Sequence, residues 1–273
     1  VGGLFVFLAI LFVAVFASVI SPQNPYDLAS LSIMDAREPP GTPSTSGPFT
    51  YWLGSDGQGR DMVSAIFYGL RTSLIVGAMS GLLALCIGMC VGLTAGYFGG
   101  RVDALIMRVV DLQLSFPSIL VALILLAVLG QGVDKIIIAL VVVQWAYYTR
   151  TVRASALVER HREYIEAGEC LALGQRRIVF RHLLPNCLPP LIVVGTVQVA
   201  HAISLEATLS FLGLGLPPTE PSLGLLIANG FDYMLNGRYW IAFYPGIALL
   251  ITIVSINLMG DQVRDVLNPK LER

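Results

Sequence analysis

Charged residues are scarce in this chain of 273 residues. Asp, Glu, Lys and Arg make up 13% of it and hydrophobic residues 55%, whereas typical soluble domains carry about 25% charged residues. The mean hydropathy is +0.75. These values exclude an ordinary soluble domain and are typical of an integral membrane protein. The formal net charge of −1 gives no reason to expect a nucleic-acid partner.

Residues for metal, redox or hydrolytic chemistry are also few. The four cysteines and three histidines show no Cys-x-x-Cys or His-Glu-x-x-His spacing, so we expect no metal site. Residues 54–61 (GSDGQGRD) have the glycine spacing of a phosphate-binding loop, but Arg60 and Asp61 stand where Lys and Ser/Thr are required. We therefore predict that the chain is not an enzyme, has no catalytic residues and binds no cofactor itself.

Long apolar runs are abundant instead. Six of them are about long enough to cross a bilayer, at residues 4–20, 72–97, 105–129, 136–152, 188–212 and 241–259. Val15-Phe16-Ala17 could be a signal-peptidase site, so a cleaved signal is the alternative for the first run; we favour a retained helix. The sequence predicts an all-α integral membrane protein with six transmembrane helices.

A stretch rich in proline and glycine, residues 21–70, separates the first two runs and favours an irregular connection rather than a domain. We divide the chain into the first helix with this extracytoplasmic loop (1–71) and a core of five transmembrane helices (72–273). Glycines in the second run recur at spacings of four and predict a smooth face for another helix. The alternative is that they only relax the helix. They are Gly77, Gly81, Gly88, Gly92 and Gly96.

One segment, Glu159–Asn186, concentrates four acidic residues and five arginines. Unpaired charge at this density is too costly to bury in hydrocarbon, so the segment lies in water or against another protein. Its apolar residues recur at about 3.6 and predict two short helices. Gly174 is expected to take the positive φ between them, and Pro185 to end the second. The alternative is a solvated loop that packs on its own domain.

The basic residues set the orientation. If residues 153–187 are cytoplasmic, twelve of the seventeen Lys and Arg lie on that side, as the positive-inside rule requires. Both termini are then cytoplasmic.

Three ionisable residues near span ends are candidates for the pathway or an interface. Arg108 and Asp111 are three residues apart and could pair on one helix face. Their alternative role is an ion pair that anchors the helix at the interface. Glu206 lies in the fifth run, where an ionisable residue is a functional candidate unless it reaches the outer interface.

The charged segment resembles the cytoplasmic loop of ABC-importer permeases, whose pattern is Glu-Ala-Ala, three residues, Gly, nine residues, Ile-x-Leu-Pro. Glu166 and Ala167 match its opening, and Leu184-Pro185 its close. Gly168 replaces the second Ala and Ala172 the Gly. Four further blocks resemble the C-type subunit of the dipeptide/oligopeptide/nickel branch. They are residues 53–74, 99–120, 205–224 and 257–273.

The resemblance implies a type I ABC-importer permease fold in the bacterial inner membrane. Two homologous permease subunits would form the pathway for peptides or similar solutes. Two cytoplasmic ATPases using ATP and Mg would dock on the loop, and an extracytoplasmic solute-binding protein would deliver the cargo. The expected docking residues are Tyr164, Glu166, Ala167, Gly168, Leu171, Ala172, Gly174, Arg181, Leu184 and Pro185. The alternative function is a stand-alone channel or scaffold without ATPases.

Overall fold

The structure is a computed structural model that describes residues 2–27, 29, 31–45 and 47–267. Helices dominate it, which confirms the predicted all-α membrane fold. The helices are α1 (Gly2–Val15), α2 (Ala17–Ile20), α3 (Met62–Phe98), α4 (Gly100–Ser115), α5 (Ser118–Leu129), α6 (Val133–Arg160), α7 (Glu163–Cys170), α8 (Gln175–Arg177), α9 (Leu184–Phe211), α10 (Leu223–Phe231) and α11 (Trp240–Leu267). Two short antiparallel strands, β1 (Thr42–Pro43) and β2 (Thr50–Tyr51), form a hairpin between α2 and α3. Lys270 and Arg273 belong to the twelve basic residues that the sequence analysis assigns to the cytoplasmic side. Both lie outside the described residues.

Among the described residues, three helices are long and apolar enough to cross a membrane. They are α3, the continuous helix 175–211 and α11, and the bent pair α4–α5 adds a fourth if it counts as one span. α1 is a shorter apolar helix, and α6 has 28 residues. The count of six spans stays a prediction.

Helix α3 begins at Met62, ten residues before the apolar run that predicted it. The Asp61 side chain caps it by accepting the Ser64 backbone N–H at 2.8 Å, which satisfies one of the free donors of the first turn. The first turns of α3 pack against α10 and beneath the connection between α2 and α3 (residues 21–61). The proposed division at residue 71 therefore falls inside this helix.

The glycine strip of α3 packs on neighbouring helices, as predicted. A Cβ on Gly88 would lie 2.5 Å from the Tyr148 Cβ of α6, and one on Gly92 would lie 2.7 Å from the Thr149 carbonyl oxygen. Near its other end the strip meets α9, where a Cβ on Gly77 would be 2.6 Å from Ile203. Glycine is therefore required for the helix backbones to approach this closely.

The third predicted span, residues 105–129, is broken into two helices. α4 and α5 meet at an 88° bend around Phe116 and Pro117. Proline lacks the N–H for the helical hydrogen bond and its ring excludes helical geometry from the residue before it. α4 runs antiparallel to α6, since Asp103 contacts Arg153 and Gln113 donates to the Val142 carbonyl oxygen.

Pro185 does not end a helix, contrary to the sequence prediction. Residues 175–211 form one continuous helix, in which a π-helical turn, Ile178–Leu183, joins α8 to α9. Pro185 lies in the first turn of α9, directly after this widened turn, where its missing N–H is tolerated. The second part of the charged loop, from Gln175 onward, and the fifth span therefore form one helix.

The connection between α2 and α3 (residues 21–61) is irregular, as predicted, yet closely packed. The buried Asp35 carboxylate accepts hydrogen bonds from Ser44, Thr45 and Tyr51. The Trp240 indole N–H donates to a carbonyl oxygen of this connection at 3.2 Å, which fixes the loop to α11.

Its glycine-rich run forms tight turns. Gly54 and Gly59 have φ of 83° and 79°, a conformation that favours glycine. Asp56 and Arg60 form a buried ion pair at 2.6 Å with each other.

Removal of the Asp35 charge should destabilise the connection between α2 and α3, and the loss of stability should depend on pH. Burial raises the pKa of Asp35, but the hydrogen bonds from Thr45, Tyr51 and Ser44 outweigh it and lower the pKa to about 2. A depressed carboxyl pKa stabilises the fold above the ordinary value near 3.8 and loses that contribution as pH falls towards 2. Asp35→Asn should be cleaved by pepsin in residues 21–61 faster than wild type at pH 4, with the difference vanishing near pH 2. Asp27→Asn, at an exposed position, is the control; equal resistance of wild type and Asp35→Asn at pH 4 would contradict the prediction.

Adding one methyl group to the glycine strip should destabilise the protein. Gly92→Ala forces the α6 backbone away, so we expect a loss of about 1–3 kcal/mol, seen as a lower thermal unfolding midpoint in detergent. Gly195→Ala in α9 is the matched control because nothing lies within 4 Å of its added Cβ. Equal midpoints for the two variants would show that the strip is not a packing surface.

Candidate coupling loop and intramembrane charges

The charged loop is anchored on the ends of two long helices. Its buried side chains Ile165, Ile178 and Leu183 pack with Leu93 of α3 and Val152 of α6. Their burial leaves the opposite side of α7 in solvent, where the charged residues lie. The loop is thus rigidly joined to its own subunit on one side and open on the other.

The turn after α7 has a Schellman geometry, but at a different residue from the one expected. The Leu173 N–H donates to the Gly168 carbonyl oxygen and the Ala172 N–H to that of Glu169, the pair of bonds that defines this motif. Ala172 has φ 52°, whereas Gly174 has an ordinary φ of −59°. The prediction of a left-handed Gly174 is therefore wrong. Ala172 takes the conformation because the hydrogen bonds of the motif require it one residue after the helix cap.

Most of the expected docking residues are solvent-exposed. Leu171 is 75% exposed and Phe180, which the sequence analysis did not select, 64%. Gly168 is the exception, being buried against Leu173 and Ile178. Leu184 is partly buried. The exposed members are Tyr164, Glu166, Ala167, Leu171, Ala172, Gly174, Arg181 and Pro185.

Tyr164 links the loop to the end of α6. Its hydroxyl donates to the Glu159 carboxylate at 2.6 Å. Burial and this carboxylate raise the pKa of Tyr164 to about 12, so the phenol stays a neutral donor at physiological pH. The contact fixes α7 relative to the helix that precedes it.

Glu206 is completely buried and accepts hydrogen bonds from three serine hydroxyls. Ser73 of α3 donates at 2.9 Å, Ser210 of α9 at 2.8 Å, and Ser222 at the start of α10 is the third. The exposure of Glu206 is 0%, so the carboxylate is enclosed by protein. The carboxylate connects three helices inside the subunit. Ser210 is one helical turn from Glu206, whereas Ser73 and Ser222 lie on other helices and gave no sequence signal for the network.

The predicted Arg108–Asp111 pair is replaced by an interhelical one. Asp111 binds Arg150 of α6 at 2.5 Å, and both side chains are more than half exposed. A second pair, Asp103 with Arg153, is bidentate at 2.5 and 2.6 Å. Sequence reasoning missed Arg150 and Arg153 as partners because residues about 40 to 50 positions apart leave no local periodicity to detect.

Metal-ligating side chains are not clustered in the part of the chain that the structure describes. Within the described ranges, no group of three or more His, Cys, Asp or Glu side chains could hold a metal ion. What the arrangement does offer is a rigid, charged loop continuous with a membrane helix. Such an arrangement can transmit movement between a soluble partner and the helix bundle.

Solved structures place the fold in a known class. Two crystal forms titled "Inward facing conformations of the MetNI methionine ABC transporter" match with TM-scores of 0.62 and 0.60, each at 22% identity. The first match covers 76% of this chain and 98% of that chain. The chain therefore shares the fold of this transporter chain.

The family follows from the sequence comparisons. Residues 88–273 match the family described as "Binding-protein-dependent transport system inner membrane component", and the chain belongs to this family of ABC-importer permeases. It is therefore an inner-membrane transport subunit rather than an enzyme.

Several curated relatives are similar over nearly the whole chain. The dipeptide transport system permease protein DppC of Escherichia coli K12 is 40% identical over 100% of this chain and 89% of its own length. The di/tripeptide transport system permease protein DppC of Pseudomonas aeruginosa is 38% identical over 99% and 88%. DppC of Bacillus subtilis is 35% identical over 100% and 82%.

Ala172→Gly should stabilise the turn after α7. Alanine at a left-handed φ costs roughly 1 kcal/mol relative to glycine, so amide hydrogen exchange of residues 168–173 should slow. Gly174→Ala is the paired control and should do no harm, since its φ is ordinary and nothing lies within 4 Å of the added Cβ. Faster exchange in Ala172→Gly would contradict the assigned turn.

Proposed function

We propose that this chain forms half of the translocation pathway of an ATP-driven importer of dipeptides or similar short peptides. The observation that carries the proposal is the continuity of helix 175–211, which joins the charged loop to the intramembrane helix that holds Glu206. The substrate class is supported by the names of the relatives, which are similar to this chain over nearly its full length.

The exposed side of the loop is the docking surface for a cytoplasmic ATPase in this proposal. Leu171 and Ala167 offer an apolar contact, and Glu166 a charged one at its edge. Gly168 contributes indirectly: it is buried in contact with Leu173 and Ile178 beneath α7 and so belongs to the packed side that fixes the exposed face. Arg181, Leu184 and Pro185 belong to the helix that carries the movement onward.

The energy comes from the partners. Two ATPase subunits would bind ATP and Mg, and their closure would push the loops of this chain and of a second, homologous permease. Because α7 is fixed to α3 and α6 while residues 175–211 are one helix, displacement of the loop rotates the helices as rigid bodies. An extracytoplasmic binding protein would deliver peptide to the outer face.

The orientation follows from the same proposal. The docking loop faces the cytoplasm, so both termini are cytoplasmic and the packed connection between α2 and α3 faces the binding protein. Glu206 does not line the pathway in this arrangement; it holds α3, α9 and α10 together. Its three serine donors keep the carboxylate satisfied where water is excluded.

Variants of the docking surface should uncouple the complex. In proteoliposomes containing both permeases and both ATPases, Glu166→Lys and Leu171→Asp should abolish most of the ATP hydrolysis that the peptide-loaded binding protein stimulates, because each places an unmatched charge in the contact. ATP hydrolysis and peptide uptake are measured together.

The matched control is Asp261→Lys, which makes the same change of charge at an exposed position of α11 away from the loop. It should retain wild-type stimulation. Full coupling in both loop variants would overturn the assigned docking surface, and peptide flux without any ATPase would favour the stand-alone channel.

A further inference from the structure

Helix α4 has three distinct faces. One face is buried in the subunit, with Val110 fully buried. A second is exposed and apolar, and Val109 is 49% exposed on it. The third is exposed and polar, with Arg108, Asp111 and Ser115 at successive turns. We call this third side, together with Arg150 of α6, the α4 polar face.

The contacts with α6 place this face at membrane depth. Lys135 marks the outer start of the apolar part of α6. At 1.5 Å per residue, Val142 lies about 10 Å and Arg150 about 22 Å further along the axis. Gln113 donates to the Val142 carbonyl oxygen at 3.2 Å. Because α4 runs antiparallel to α6, Ser115 lies roughly 8 Å inside the outer edge of a hydrocarbon layer about 30 Å thick, and Arg150 about 8 Å inside the inner edge.

Lipid cannot cover such a surface. The Arg150 and Asp111 side chains are 55% and 63% exposed on this subunit, and charged groups at this depth require water or protein around them. A groove of about 360 Å³ runs along the same face; its lining includes Arg108, Asp111 and Ser115.

The bend between α4 and α5 independently indicates that lipid does not cover this region. Phe116 and Pro117 are exposed at the 88° break, at the same depth as Ser115. Irregular backbone inside a membrane is tolerated only where protein buries it or where it lines a water-filled cavity. Discontinuous membrane helices commonly line the substrate sites of transporters.

We propose that the α4 polar face lines the aqueous pathway through the hydrocarbon layer towards its inner side, and that the Asp111–Arg150 pair opens to bind a zwitterionic solute. The Arg150 guanidinium would take the carboxylate and Asp111 the ammonium group, so each charge exchanges one partner for another and none is left unpaired. That the zwitterion is a short peptide rests on the proposed function; the water-lined face does not.

The neighbouring Asp103–Arg153 pair provides an internal comparison. It joins the same two helices with two short hydrogen bonds, and its side chains are only 17% and 30% exposed. Its bidentate geometry and lower exposure assign it to holding α4 on α6. Loss of this pair affects the fold, whereas loss of the Asp111–Arg150 pair affects the passage of solute.

Thiol accessibility tests the water-lined face. In the assembled transporter with Cys86, Cys90, Cys170 and Cys187 replaced by alanine, single cysteines are introduced by Arg108→Cys, Ser115→Cys and Val109→Cys. Arg108 and Val109 are adjacent and so at the same depth, but their side chains lie on different faces of α4. A charged, membrane-impermeant methanethiosulfonate reagent should modify Arg108→Cys and Ser115→Cys about tenfold faster or more than Val109→Cys, because its charge keeps it out of lipid.

Slow modification of Arg108→Cys and Ser115→Cys, equal to that of Val109→Cys, would overturn the proposal and show that the face is sealed against a partner subunit. Fast modification of all three would also overturn it, because α4 would then be surrounded by water without a preferred face. The result is independent of cargo, so it stands even if this importer carries something other than peptides.

Neutral variants test the binding step. Asp111→Asn and Arg150→Gln should lower dipeptide uptake about tenfold, the loss expected from one charge-assisted contact, while the ATP hydrolysis stimulated by loaded binding protein persists. Asp103→Asn and Arg153→Gln should lower the thermal midpoint instead, with uptake reduced only in proportion to folded protein. Unchanged uptake in the first two variants would refute the solute contact, whereas absent ATPase stimulation in the wild-type complex would refute the proposed function.

Discussion

The close approach of α3 to α6 is the constraint on which the other features depend. Glycines on α3 bring the two helix backbones together, and the loop core of Leu93, Val152 and Ile165 is built on their inner ends. The same two helices position both functional regions, since α6 carries Arg150 towards α4 and α3 carries Ser73 towards Glu206. Without this contact neither the loop nor the intramembrane charges would have fixed positions.

Polar groups inside the bundle are treated in two different ways. Glu206 is enclosed and satisfied by three serine hydroxyls, so it stabilises a particular arrangement of α3, α9 and α10. The Asp111–Arg150 pair is satisfied but open on one side. Burial therefore separates a structural carboxylate from one available to solute, although the sequence presents both simply as acids in apolar runs.

Sequence patterns predicted the features that depend on local periodicity. The apolar runs, the charged loop and the glycine strip follow from spacing alone, because each requires one face of one helix. The bend at Pro117 had a local signal, a proline inside an apolar run, but the length of the run, residues 105–129, favoured a single span. The short helix α10 was missed because the segment between the last two runs has no long periodic stretch.

Other features depend on tertiary contacts, and no local pattern encodes them. Asp111 has Arg108 within one turn, yet it binds Arg150 because helix α6 passes beside it. The positive φ falls on Ala172 rather than Gly174 because the hydrogen bonds to Gly168 and Glu169 decide where the chain reverses. In both cases the prediction chose the residue whose side chain has the suitable property. The fold instead uses the residue that lies at the required position.

The broken helix has a consequence for how the protein is made. α5 has 12 residues and spans only about 18 Å, less than the roughly 30 Å of a hydrocarbon layer. It directly follows the helix that carries the α4 polar face. A newly inserted copy therefore exposes to lipid a surface that lipid solvates poorly. In the proposed transporter, pairing with the second permease would remove this surface from lipid.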